Sequence, residues 1–227
     1  PEAFDDFSAH HADGNFQQTS AAGRLRAGQG IEVEYLGVQE NGTIVAGALF
    51  ETHRSRLSTF SVVHDGPLCD YRDRELTEYF MTQLKQHAKA KGSAQMEIVP
   101  EMPYCLHDSR GGELPADQGG APADDAVETL KNLGFMHDGF TIGYTAVPRW
   151  RYLKDLTGIT DEKSLLKSYD KRTQWSVKRA ASMGVHVREL GEDELQVFAD
   201  IEQATAERRN FEYRGEAYFR KFKQAYG

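Results

Sequence analysis

The feature that most constrains the fold of this chain is a β-hairpin pattern in residues 31–53. The segment IEVEYLGVQ alternates apolar and polar side chains, ENGT supplies an Asn-Gly pair, and IVAGALFETH resumes the apolar run. Alternation with a period of two is typical of strands that bury one face, and Asn-Gly favours the tight turn between two such strands. The pattern predicts an antiparallel pair of strands.

Three further elements follow the hairpin. The segment SRLSTFSVVHDGPL predicts a third strand that ends at a Gly-Pro pair. Residues 70–91 predict a helix, because apolar side chains recur at spacings of three and four and Gly92 follows them. These apolar positions are Leu76, Tyr79, Phe80, Leu84 and Ala88. The segment AQMEIVP then predicts a short buried strand.

The middle of the chain contains a loop between regular elements. Residues 107–124 are rich in Gly, Pro and Asp, which is typical of a loop. The segment DAVETLKNLGF predicts a helix that ends at Gly134, and FTIGYTAVPRW predicts another strand. Residues 159–184 predict one helix, VHVREL predicts a strand, and residues 193–209 predict a second helix. The inward stripe of the first of these helices is expected at Leu165, Leu166, Tyr169, Thr173, Val177 and Ala180.

The order of these elements predicts two units. Residues 1–147 are expected to form an α/β (α+β) domain with a mostly antiparallel sheet flanked by helices. Residues 148–227 are expected to begin a second domain, because helices and a strand follow but no further strands complete a sheet.

Composition narrows the class of protein. The chain has 227 residues, of which 39% are hydrophobic, enough for a packed core. No apolar run approaches the roughly 18 residues that a membrane span needs, and the acidic start is unlike a signal peptide. Cys69 and Cys105 are the only cysteines, too few for a disulfide framework or a cysteine-based metal site. These features indicate a soluble, cytoplasmic protein.

Charge is distributed unevenly along the chain. The net charge of -8 argues against a protein that coats nucleic acid with its whole surface. Residues 149–182 nevertheless carry nine Lys or Arg against four Asp or Glu. The basic helix Lys163 to Arg179, which includes Trp175, either contacts tRNA phosphates or is a solvated charged face.

Four local patterns, in this order, resemble the Fem family of peptidyltransferases (FemA, FemB, FemX and the related MurM type). They are Asn15-Phe16-Gln17-Gln18-Thr19-Ser20 leading to Gly23-Arg24-Leu25-Arg26; Gly66-Pro67-Leu68 before Asp70-Tyr71; the basic segment from Ser168 to Gly184; and Thr205, Arg208, Phe211, Arg214, Tyr218 and Phe219. The chain departs from the family pattern at Ala22, where Trp is common, and at Val99, where Asp is common before Pro.

The resemblance implies a pair of acetyltransferase-like (GNAT) domains and no cofactor. It implies aminoacyl-tRNA as the donor and a muropeptide linked to UDP or to a lipid carrier as the acceptor, so that the reaction adds amino acids to the stem peptide of a peptidoglycan precursor. A lipid-linked acceptor would bring the protein to the membrane surface. The family's catalytic lysine is expected C-terminal to Gly227, so these 227 residues alone are expected to lack transferase activity.

The resemblance also implies which residues hold the acceptor. A basic residue at Arg26, with Arg24 beside it at the start of a helix, is implied to contact the precursor's phosphates, because an Arg fork binds two oxygens at once. Arg214 and Tyr218 are four apart and would share one helix face against the same phosphates. The alternative for all four is a solvated helix surface, and alanine at Arg26 or Arg214 is expected to leave stability almost unchanged.

Other candidates and other functions stay open. Glu101 and Tyr104 follow a strand end and either meet the acceptor or lie in an exposed loop. His10-His11 and His107-Asp108 lack partners at ligand spacing, so no metal site is expected. The alternative functions are an acyl-CoA-dependent N-acetyltransferase, against which the poorly spaced glycines of residues 26–30 argue, and a non-catalytic precursor-binding fragment.

Overall fold

The computed structural model describes residues 1–139 and 150–227. One sheet contains four strands in the order β1-β2-β3-β4. They are β1 Glu32–Glu40, β2 Thr43–Arg54, β3 Thr59–Val63 and β4 Gln95–Ile98. The first two pairings are antiparallel and the β3–β4 pairing is parallel. The predicted hairpin is confirmed, and Asn41 and Gly42 turn the chain with φ of 50° and 84°.

Helices cover both faces of this sheet, and further helices, short 3-10 turns and loops form the rest of the described chain. The helices are α1 Glu2–His10, α2 Ser20–Ala27, α3 Arg74–Ala90, α4 Asp124–Asn132, α5 Glu162–Ser168, α6 Lys171–Ser182, α7 Leu195–Arg209 and α8 Glu216–Tyr226. The α/β class with a mostly antiparallel sheet is therefore confirmed. None of these helices is both long enough and apolar enough to span a bilayer.

The alternation of β2 explains why helices cover both faces of the sheet. Ala48 and Phe50 point to one face and join the core that α3 builds with Phe80 and Leu84. Leu49, between them, points to the other face and packs with residues of α1 and α2. Successive strand residues alternate sides, so both faces of β2 are apolar and both need a layer.

The C-terminal helix packs against α2. The guanidinium of Arg24 donates to the carbonyl of Ala225 at 3.2 Å, and Lys221 Nζ donates to the carbonyl of Gly28 at 2.7 Å. The hydroxyl of Tyr226 donates to the carbonyl of Phe16 at 3.4 Å. These contacts bring the end of the described chain to its beginning.

The single helix predicted over residues 159–184 is wrong. It is divided into α5 and α6 by Tyr169, which is extended with φ of -84° and ψ of 160°. Asp170 then caps α6, because its carboxylate accepts from the backbone N–H groups of Arg172 and Thr173 at 2.8 and 3.0 Å. Aspartate competes for exposed N–H groups and favours such a cap over a helix interior. The predicted inward stripe is incomplete, since Val177 is exposed.

Two more predictions about secondary structure need correction or stay open. Residues 185–190, predicted as a strand, pair with no strand in the described part of the chain, and Val187 is 97% exposed. A strand requires a neighbouring strand that pairs with its backbone N–H and C=O groups. An alternating pattern of apolar and polar side chains does not by itself supply that neighbour. Two predictions fall outside the described residues: the domain boundary at 147/148, and the strand at 140–150 apart from its last residue.

Candidate functional site

A cavity of about 580 Å³ lies between α2, the C-terminal half of β2, the residues that directly follow β3, and α8. Three of the residues predicted to bind substrate line it: Arg26, Arg214 and Tyr218. Arg26 comes from α2, whereas Tyr218 belongs to α8 and Arg214 precedes that helix. The packing of α8 on α2 therefore brings together groups from opposite ends of the chain.

The segment before α2 anchors this wall of the cavity. The buried amide of Gln18 accepts from the backbone N–H of Leu49 at 2.8 Å and donates to the carbonyl of His64 at 2.5 Å. Asn15 Nδ2 donates to the carbonyl of Asp65 at 2.8 Å. The hydroxyl of Thr19 accepts from the N–H of Ala22 at 3.2 Å and caps α2. Side chains of the Asn-Phe-Gln-Gln-Thr-Ser pattern thus attach α2 to the sheet.

Arg26 lies in the last turn of α2, not at its start as predicted. Its Nε forms an ion pair with Glu51, and its Nη2 donates to Gln17 Oε1 at 2.7 Å. The Arg26 side chain is only 12% exposed and that of Glu51 is 1% exposed. The alternative of a solvated helix surface is therefore wrong for Arg26, whose charge is compensated within the protein.

Arg214 and Tyr218 form the opposite wall. Arg214 does not belong to a helix, because Gly215, with φ of 82°, precedes the first turn of α8. Its Nη1 nevertheless donates to the hydroxyl of Tyr218 at 2.7 Å, and its guanidinium lies 4.9 Å from the centre of that ring. Phe222 and Tyr226 continue this wall along α8, with ring centres 4.7 Å apart, and burial raises the pKa of Tyr226.

The remaining predicted residues do not line this cavity. Arg24 donates to Ser20 Oγ at 3.0 Å and to the carbonyl of Ala225. Glu101 forms a two-bond ion pair with Arg151. The hydroxyl of Tyr104 donates to Asp124 Oδ1 at 2.7 Å, and this hydrogen bond raises the pKa of Tyr104. Arg24 thus has a structural contact to α8, while Glu101 and Tyr104 lie elsewhere.

The sequence interpretation missed a cluster on the sheet side of the cavity. Glu51 Oε2 lies 3.0 Å from His53 Nε2 and 3.7 Å from His64 Nε2. All three residues line the cavity. The sequence could have indicated part of this cluster, because Glu51 and His53 are two residues apart on a strand and therefore point to the same face. Placing His64 beside them required the register of β2 against β3.

The charges around the cavity are mixed. Arg26 is paired with Glu51, whereas Arg214 has no carboxylate partner among the described residues. Asp65 and Glu212 add negative charge to the lining. The arrangement can bind an anion at the Arg214 wall and can hold a cation at the cluster of Glu51 and the two histidines.

The basic helix predicted as a tRNA contact lies apart from this cavity. Trp175 of α6 is exposed, and the guanidinium of Arg179 lies 5.1 Å from the centre of its ring. The helix has no buried residue. Its cations and its aromatic ring are therefore accessible.

Comparison with known proteins assigns the fold and then the family. The crystal structure of FemX matches with a TM-score of 0.75 at 22% identity, covering 99% of this chain and 52% of that one. This similarity shows that the chain has the fold of FemX, without identifying a reaction. The sequence pattern of the FemAB family matches residues 1–227, and the chain belongs to this family.

Curated relatives agree with this assignment. Aminoacyltransferase FemA of Staphylococcus epidermidis is 28% identical over 228 residues, covering 99% of this chain and 54% of that protein. Aminoacyltransferase FemA of Staphylococcus aureus (strain bovine RF122 / ET3-1) is 29% identical over 214 residues, covering 90% and 49%. The chain spans about half the length of the curated relatives it matches.

Proposed function

We propose that this chain provides the acceptor-binding region of an aminoacyltransferase that adds amino acids to the stem peptide of a peptidoglycan precursor. The donor in this proposal is aminoacyl-tRNA, and the acceptor is a muropeptide carried on UDP or on a lipid. Membership of the FemAB family and the similarity to proteins named aminoacyltransferase support the reaction class.

The observation that carries the proposal is the meeting of Arg26, Arg214 and Tyr218 around one cavity. Both forms of the acceptor contain a pyrophosphate, whose charges are costly to remove from water without cationic partners. Guanidinium groups bind phosphate oxygens in pairs, and each charge-assisted bond contributes more than a neutral one. The cavity supplies two such groups and a phenol from opposite walls.

The two arginines have different roles in this proposal. Arg214 is exposed and bonds only to Tyr218 among the described residues, so its fork is available for the pyrophosphate. Arg26 is held by Glu51 and Gln17, which fixes the orientation of its planar group. A pre-oriented donor loses little freedom on binding. Arg26 therefore positions the acceptor, and Arg214 supplies the uncompensated charge.

The proposal assigns acceptor binding to this cavity and leaves bond formation outside it. In the reaction an amine of the stem peptide attacks the ester carbonyl of the aminoacyl-tRNA, which requires stabilisation of the developing oxyanion and removal of a proton. The exposed cations and Trp175 of α6 are compatible with tRNA contact. A UDP-linked acceptor would place the protein in the cytoplasm, and a lipid-linked one would bring it to the membrane surface.

The test is calorimetric binding of a UDP-linked muropeptide to the 227-residue chain and its variants. Arg214→Ala should weaken binding by about tenfold or more, since one charge-assisted contact contributes roughly 1.5 to 3 kcal/mol. Arg26→Lys keeps the charge but removes the fork, and should weaken binding by a smaller factor. The matched control is Arg220→Ala, because Arg220 of α8 pairs with Glu216 and does not line the cavity.

The same titration separates the alternatives. UDP alone should bind more weakly than the muropeptide but show the same loss on Arg214→Ala. If Arg214→Ala binds the muropeptide as tightly as the parent, the acceptor does not use this cavity. If acetyl-CoA binds instead and loses affinity in the same variant, the acyl-CoA alternative replaces the proposal.

A further inference from the structure

His53 and His64, which lie beside Glu51, have no role in the proposed acceptor site. One ligand-type atom from each residue lies within 4.8 Å of the others. Glu51 is buried, with a side chain only 1% exposed, whereas the His64 side chain is 45% exposed. Two imidazoles and a carboxylate therefore converge at a point that is open to the cavity.

The sheet holds the three side chains on one face. Glu51 and His53 are two residues apart on β2, so both side chains leave the strand on the same side. Val62 of β3 lies opposite Glu51 in the register, and His64 follows two residues later. The paired strands fix the spacing of Glu51 and His53, and His64 lies in the turn directly after β3.

The two oxygens of Glu51 have separate partners. Oε1 forms the ion pair with Arg26, and Oε2 faces the two histidines at 3.0 and 3.7 Å. Ligands of a four-coordinate zinc ion, at about 2.1 Å from the metal, lie roughly 3.4 Å from one another. The observed separations bracket this value. A second partner on a ligating carboxylate is also the usual arrangement around such ions.

We propose that Glu51, His53 and His64 bind one divalent transition-metal ion of the zinc class. Imidazole nitrogen suits Zn²⁺ better than Mg²⁺ or Ca²⁺, which prefer oxygen ligands. Two histidines and one glutamate occupy three positions of a tetrahedral ion, and the fourth faces the cavity. The inference rests on this cluster and not on which molecule the cavity binds, although Glu51 also pairs with Arg26.

The competing interpretation is a set of hydrogen bonds between the carboxylate and two histidines that involves no metal. That arrangement explains the pairing of Glu51 with His53. It does not require His64, whose nitrogen is 3.7 Å from the carboxylate, to point towards the same oxygen. Zinc binding separates the two interpretations directly.

The test is a competitive titration of the chelator-stripped chain with Zn²⁺ and a chromophoric chelator, repeated with Co²⁺ for its absorption spectrum. The parent should bind one equivalent, and Co²⁺ should show the intense visible bands of a four-coordinate site. His53→Gln and His64→Gln should each weaken binding by more than about tenfold. His186→Gln is the control, because His186 is exposed and outside the cluster.

Folding of each variant is checked by urea unfolding without metal, and His64→Gln is the safest because that side chain is partly exposed. Zn²⁺ should raise the melting temperature of the parent and of His186→Gln but not of the double variant His53→Gln/His64→Gln. The proposal is overturned if the parent binds no stoichiometric Zn²⁺, or if the double variant binds it as tightly as the parent.

Discussion

Arg26 and Arg214 line the same cavity, but only Arg26 has a carboxylate partner in the described part of the chain. The ion pair between Arg26 and Glu51 is formed before any ligand enters. Arg214 instead donates to a neutral hydroxyl, that of Tyr218, at 2.7 Å. An incoming anion therefore meets one arginine whose charge is already balanced and one whose charge is not.

Tyr218 should contribute to acceptor binding less than Arg214 does. Tyr218→Phe removes one neutral hydrogen-bonding group and leaves the ring under the guanidinium. We expect muropeptide affinity to fall about threefold, since a neutral hydrogen bond contributes about 0.5 to 1.5 kcal/mol. Calorimetry on Tyr218→Phe and Arg214→Ala in parallel measures the difference. An equal loss in both variants would show that Arg214 acts mainly by orienting the phenol.

Arg26→Ala should destabilise the protein, in contrast to the expectation from sequence. Removal of Arg26 leaves the buried carboxylate of Glu51 without its cation, and breaking a largely buried pair in this way costs about 3 kcal/mol. Arg220→Ala, which breaks the more exposed pair with Glu216, should cost less than about 1 kcal/mol. Urea unfolding at neutral pH compares the two.

The double variant Arg26→Ala/Glu51→Gln provides the internal check on that prediction. It removes the unpaired charge together with its partner, so part of the lost stability should return. A double variant no more stable than Arg26→Ala would mean that the loss comes from packing of the arginine stem.

Gln18→Ala should be costly even though the residue carries no charge. It leaves the N–H of Leu49 and the carbonyl of His64 without their side-chain partner in a buried setting. The expected loss is about 3 kcal/mol in the free energy of unfolding, at roughly 1 to 3 kcal/mol for each group. Gln29→Ala, at an exposed cavity residue, is the control and should change stability by less than about 0.5 kcal/mol. Similar values for both variants would contradict the anchoring role of Gln18.

The stability contributed by Glu34 should disappear in acid. Burial raises the pKa of Glu34, but hydrogen bonds from Lys91 and His87 outweigh it, and the net pKa lies below the ordinary value of 4.5. A lowered pKa means that the ionised form favours the folded state. Its contribution is present above pH 4.5 and is lost as the pH falls through the folded value.

Glu34→Gln measures that contribution. The parent should exceed Glu34→Gln in stability by about 1 kcal/mol at pH 7, and the difference should shrink towards pH 3. Urea unfolding across this range provides the measurement, with Glu40→Gln on the same strand as an exposed control. A difference that does not change with pH would assign the effect to packing.

Local chemistry made the hairpin predictable. Asn41 and Gly42 adopt the positive φ that the turn requires, and this pair of residues is enough to predict the position of the turn from the sequence. The break between α5 and α6 was not predictable in the same way. In the sequence, Asp170 is one of many polar residues that could lie on the exposed side of a continuous helix. Whether it caps a new helix instead depends on where the preceding residues are placed.

The site was predictable only in part for a related reason. Family resemblance singled out Arg26, Arg214 and Tyr218, and the structure places all three around one cavity. The compensation of Arg26 by Glu51 depends on which face of β2 meets α2, and the approach of His64 depends on strand register. Neither relationship is encoded in a local pattern, because each joins residues that are distant in sequence.

The anchor of α2 has a consequence for how this protein can diverge. Gln18 and Asn15 bond to main-chain atoms of Leu49, His64 and Asp65, and none of these bonds involves the side chains at 49, 64 or 65. Replacement of the His64 side chain therefore leaves these hydrogen bonds in place. Evolution can exchange the chemical groups on this wall of the cavity, and with them the molecules it accepts, without rebuilding the scaffold that supports it.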